Sequence, residues 1–176
     1  MRILSILSVA ALTTLATAQP PVAGPAPASV AKPAKPTRID FGIPLKPIKQ
    51  KDLSFKLLKN RWSLLLYFSP TCGHCRHTYP FIRGFRDTYE KKGLAVAAIA
   101  TGYATHEDIS DFDQDLHLDV LAFQDDTKRF SDLYGTGSVP LILLVAPDGT
   151  YQTWNASDSA TLAGVDAAIR KSLKIK

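Results

Sequence analysis

Leu64 to Phe68, LLLYF, is an unbroken apolar run that leads directly into Ser69-Pro70-Thr71-Cys72-Gly73-His74-Cys75. A run of strand length without polar alternation suits a central strand covered on both faces. Beyond the cysteines, Tyr79, Ile82, Phe85 and Tyr89 recur at spacings of three and four. That is the period of a helix with one buried stripe, expected from about Cys72 to Lys92, where Gly93 ends it. The only two cysteines of the chain therefore lie where a buried strand turns into a helix.

The rest of the chain alternates in the same way. Leu94 to Ala100 reads as a second buried strand, and Thr105 with Asp108 resembles a capping box for a helix to about Leu116. Asp119 to Gln124 is expected as a short strand and Thr127 to Tyr134 as a short helix. Leu141 to Val145 and Tyr151 to Trp154, joined by Pro147-Asp148-Gly149-Thr150, make a hairpin. Ala160 to Leu173 closes the chain as a helix with Leu162, Val165, Ile169 and Leu173 on one face. This alternation predicts an α/β fold with a central mixed sheet flanked by helices.

The chain opens with Met1-Arg2, an apolar stretch from Ile3 to Leu15, and the small-x-small site Ala16-Thr17-Ala18. That is the pattern of a secretory signal peptide over residues 1–18, so the protein is expected in the periplasm or outside the cell. Residues 19–51 are rich in Pro, Ala and Lys and are expected to be a linker, with the folded domain over 52–176. Residues 1–61 carry ten Lys/Arg against two acids, whereas residues 62–176 carry eleven against fourteen. The basic balance thus belongs to the leading segment, and the domain has no charge signature for nucleic acid. The acids between Glu107 and Asp132 read as a solvated face.

In an exported chain two cysteines are candidates for a disulfide. A bridge between residues three apart closes so small a loop that it removes little unfolded-state entropy. A staple is therefore a poor reading and a reactive pair a better one. The unpaired amides and dipole of a helix start favour an anion, and a thiolate is that anion. The thiolate is also the attacking species in disulfide exchange. Cys72 is accordingly read as the nucleophile and Cys75, one turn on, as the group that resolves a mixed disulfide. Gly73 lets the turn approach a partner's backbone, and His74 can stabilise the thiolate, which favours the reduced form.

These residues resemble the thioredoxin superfamily, and the likeness extends beyond the Cys-x-x-Cys. Pro80 matches the family's proline in the active-site helix. Tyr134-Gly135-Thr136-Gly137-Ser138-Val139-Pro140 resembles the Tyr-Gly-x-x-x-Val/Ile-Pro segment whose proline is cis and faces the cysteines. The resemblance implies a three-layer sandwich in which Val139 and Pro140 form a substrate groove. The extra helix and strand between Ala104 and Gln124 are similar to the central αβ insertion of the exported TlpA-like branch. That likeness implies exchange with protein thiols and disulfides of exported proteins, and recharging by a membrane or soluble electron-transfer partner. A monomer is expected, with no cofactor beyond a redox-active Cys72–Cys75 disulfide.

Three positions depart from the family pattern. Leu66 stands where many thioredoxins have a buried acid, Thr78 where many TlpA-like reductases have a glutamate, and Thr71 where a tryptophan is common. Cys-Gly-His-Cys itself is the centre of disulfide isomerases. Both reduction and isomerisation therefore stay open, with an expected potential of roughly −170 to −230 mV. The alternative from another class is metal binding of the copper-delivery type. Cys72, His74, Cys75 and His77 are soft ligands, but successive helical side chains do not converge on one ion. A full set would need His106 or His117, and no metal site is expected.

Overall fold

The computed structural model describes residues 35–155 and 158–175. Six strands form one sheet: β1 (Lys46–Pro47), β2 (Trp62–Phe68), β3 (Leu94–Ala100), β4 (Leu121–Gln124), β5 (Leu141–Val145) and β6 (Tyr151–Trp154). Their order across the sheet is β1-β4-β3-β2-β5-β6. β2, β3 and β4 are parallel, and the remaining pairs are antiparallel, so the sheet is mixed as expected. Among the described residues four α-helices, α1 (Gly73–Tyr89), α2 (His106–Leu116), α3 (Arg129–Tyr134) and α4 (Ser159–Ser172), and two short 3-10 helices, Phe55–Leu58 and Glu90–Lys92, accompany the sheet.

Alternation along β2 explains the three layers. Leu64, Leu66 and Phe68 point into a core shared with Cys75, Tyr79 and Ile82 of α1, Phe112 of α2 and Val165 of α4. Leu65 and Tyr67 point the other way, into a core with Phe55, Leu58, and Phe130 and Tyr134 of α3. The apolar run was continuous because both faces of its strand are covered. The described residues contain no helix long and apolar enough to cross a membrane.

The structure moves one expected boundary. Residues 39–45 belong to the second core rather than to a linker, with Ile39, Phe41, Ile43 and Leu45 all buried. The segment is tied down at one end where the Ile39 N–H donates to the Gly149 carbonyl at 2.8 Å. At the other end Lys46 and Pro47 pair with Gln124 and Phe123 of β4. The physical reason is an apolar residue at every second position, Ile39-x-Phe41-x-Ile43-x-Leu45, in a segment that turns where the Ile43 N–H donates to the Asp40 carbonyl at 3.3 Å. Its prolines and lysines concealed that pattern within a linker-like composition. The proposed signal peptide, residues 1–18, and the linker up to residue 34 lie outside the described residues.

Candidate active site

β2 ends at Phe68, and the loop Ser69–Thr71 delivers Cys72 to the start of α1. Cys72 is the N-cap of that helix, in extended conformation, and its Sγ accepts the Cys75 backbone N–H at 3.4 Å. This is the role that Ser, Thr or Asp usually plays at a helix start. Here the capping atom is sulfur, which lies at the positive end of the helix dipole. Cys72 is partly exposed, whereas Cys75 is fully buried, and both are free thiols.

Cys75 lies behind Cys72 in the core that α1 forms with the sheet. Burial, assisted by its hydrogen bond with Cys72, pushes the Cys75 thiol up to about 12, while a backbone hydrogen bond at Ser69 opposes the shift. Thr78, also buried, donates its hydroxyl to the His74 carbonyl at 2.8 Å and so adds a bond within the first turns. His74 is exposed in the turn between the cysteines, and Gly73 beside it has open space around its Cα.

The Val139–Pro140 segment is brought to the same place from 64 residues further on. The Val139 carbonyl lies 3.9 Å from Cys72 Sγ, and the Val139–Pro140 peptide is cis. Val139 is partly exposed and touches both cores, and Pro140 is buried. Asn155 Nδ2 steadies the approach to this segment by donating to Ser138 Oγ at 3.0 Å and to Thr136 Oγ1. At its beginning, Tyr134 accepts the Asp40 N–H at 2.7 Å and donates to the Arg38 carbonyl at 3.2 Å. Cys72, Gly73, His74, Cys75, Val139 and Pro140 thus come from two chain segments that meet at the carboxyl end of β2. The potential metal ligands do not assemble in this way: among the described residues no group of three or more His, Cys, Asp or Glu is placed to hold an ion.

Two residues near the site were missed by sequence reasoning. Asp125, counted among the solvated acids, is buried and accepts the N–H groups of Phe130 and Ser131, both at 2.9 Å. It caps α3 from the end of β4, and the Tyr67 hydroxyl donates to it at 3.4 Å. An acid directly after a short strand and five residues ahead of an apolar aromatic was the available signal. Arg76 is the second: its guanidinium meets the Pro70 carbonyl in the preceding loop and Asp115 and Phe112 on α2, contacts that depend on how α1 and α2 pack.

The architecture is the thioredoxin fold. A crystal structure of a Chlorobium tepidum protein named for thiol:disulfide interchange, DsbE, superposes with a TM-score of 0.71. At 18% identity it covers 80% of this chain and 99% of its own. A secreted Mycobacterium tuberculosis disulfide oxidoreductase homologous to the Escherichia coli DsbE gives 0.61 at 18% identity, over 70% of this chain and 93% of its own. StoA of Bacillus subtilis gives 0.57 at 17% identity, over 68% and 90%. No family model matches the sequence, and no curated protein matches it either.

Proposed function

We propose that the protein is an exported thiol–disulfide oxidoreductase that reduces or isomerises disulfides of protein substrates through Cys72 and Cys75. The observation that carries this reading is the partly exposed Cys72 Sγ capping α1, with the buried Cys75 one turn behind it. The Cys72 thiolate attacks one sulfur of a substrate disulfide, forming a mixed disulfide and releasing the other sulfur as a thiolate. Cys75 then loses its proton and attacks Cys72 Sγ. The internal disulfide forms, the second substrate sulfur leaves, and two electrons have passed to the substrate. Burial holds the proton on Cys75 until that step. The released substrate thiolate is the base at hand to take it, since Leu66 and Thr78 supply no carboxylate.

Substrate recognition is assigned to Val139. Its backbone faces Cys72, so an extended segment can pair with it as an added strand while presenting a cysteine to the sulfur. Fold likeness to proteins named for thiol:disulfide interchange supports the same chemistry. The test is disulfide exchange with a protein disulfide, run in glutathione buffers to read the potential. A value of roughly −170 to −230 mV is expected, and Cys72→Ser should abolish exchange. Undiminished exchange in Cys72→Ser would overturn the proposal; a potential below about −260 mV would instead assign a dedicated reductase.

A further inference from the structure

The loop in front of Cys72 is restrained by a side chain from inside α1. Arg76 Nη1 donates to the Pro70 carbonyl at 3.2 Å, and the Arg76 backbone N–H donates to the Cys72 carbonyl at 3.0 Å. Its Nη2 pairs with Asp115 on α2. The guanidinium carbon lies 5.6 Å from the centroid of the Phe112 ring. Phe112 is fully buried, its ring centroid 4.7 Å from that of Phe68, the last residue of β2, in a tilted pair and 5.1 Å from that of Tyr79 of α1 in an edge-to-face pair. One residue of α1 therefore reaches through its guanidinium to the loop that carries Cys72 and to the helix between β3 and β4.

We propose that Arg76 is a positioning residue for Cys72, and that Asp115 and Phe112 of the inserted helix hold its guanidinium in place. The proposal rests on the oxidoreductase reading of Cys72. A carbonyl tied to a guanidinium is not free to turn its negative end toward a neighbouring thiolate. Holding the Pro70 carbonyl thus fixes both the path of the loop and the field at the sulfur. The arrangement needs the fork of arginine: one nitrogen serves the carbonyl, another the carboxylate, and the central carbon lies over an aromatic ring. Lysine offers a single ammonium and cannot do all three. The ion pair is a weak source of stability, because the side chains of Arg76 and Asp115 are 31% and 62% exposed. Its contribution is geometric, and α2 acts as a brace for the redox loop.

The test uses the reduced protein and its Arg76→Ala, Arg76→Lys and Asp115→Asn variants. The rate of Cys72 alkylation by iodoacetamide is measured at a temperature where all are folded, with the thermal midpoint alongside. Arg76→Ala should slow alkylation and glutathione exchange by about tenfold, with only a small change in midpoint. Arg76→Lys should recover part of the rate, and Asp115→Asn should lose a smaller part. Combined with Arg76→Ala, Asp115→Asn should add nothing, since both act through one contact. A wild-type rate in Arg76→Ala, full rescue by lysine, or additive losses would each overturn the assignment. A wild-type protein that alkylates at Cys72 but exchanges no disulfide would overturn the oxidoreductase reading instead, and the alkylation rates would still report on Arg76.

Discussion

Cys72 and Cys75 are one helical turn apart and meet opposite surroundings, a helix start open to solvent and a packed core. Burial of Cys75 has a consequence for stability. Burial pushes its thiol up to about 12 in the folded protein, from an ordinary value of 9.0. Between those two values the unfolded chain has released the proton and the folded one still holds it, so rising pH favours unfolding. The stabilising effect of the buried thiol is complete below pH 9 and declines through the window up to about 12. Denaturation of Cys72→Ser should therefore lose stability with rising pH relative to the Cys72→Ser/Cys75→Ser double variant, and the gap should widen steadily above pH 9. Parallel curves across that window would contradict the burial argument. At this scale the position of Cys72 at a helix start was legible in the local sequence, whereas the place of Val139–Pro140 beside it came only from resemblance to a family segment. Arg76 and Asp125 were not legible, because their roles come from Pro70, Asp115 and α3, partners that only folding supplies.

The elements that the sequence displayed most clearly are those whose local signals agree with their packing. In α2, Thr105 accepts the Asp108 N–H at 3.0 Å, and the Asp108 carboxylate accepts the Thr105 N–H at 2.8 Å, so the expected capping box is complete. β2 and β3 matched because both are buried along nearly their whole length. α3 begins two residues later than expected, at Arg129. Lys128 adopts a left-handed conformation ahead of it, and Asp125 provides the cap from outside the helix. The α2 helix was recognisable as a helix, but its docking depends on Phe112, which packs between β2, α1 and Arg76 beside the buried Ile109. Phe112→Ala should cost about 3 to 5 kcal/mol by leaving a cavity at that junction. Urea unfolding measures it, and a loss below about 1 kcal/mol would mean that α2 is not packed as described.

For the molecule as a whole, the segment over residues 35–48 decides where the folding unit begins. It runs from the β5–β6 turn, where Arg38 bridges Thr150 and Ile39 bonds Gly149, to the far edge of the sheet beside β4. On the way it supplies Ile39, Phe41, Ile43 and Leu45 to the second core. It also supports Tyr134, the residue from which the Val139–Pro140 segment departs. Burying one such side chain stabilises a fold by about 1.5 to 3 kcal/mol. Four of them approach the total stability of an ordinary domain, about 5 to 15 kcal/mol. A chain starting at residue 52, the boundary that composition suggests, should therefore fail to unfold cooperatively and should expose its second core to an apolar dye. A chain starting at residue 35 should unfold in one transition and retain disulfide exchange. Replacing Phe41 and Ile43 by Ser in the longer chain should reproduce part of the defect of the shorter one, because it removes two of the four apolar side chains without removing backbone. Cooperative unfolding and full exchange by the chain from residue 52 would show that the segment only covers the domain; loss of both would make it part of the core that positions the groove.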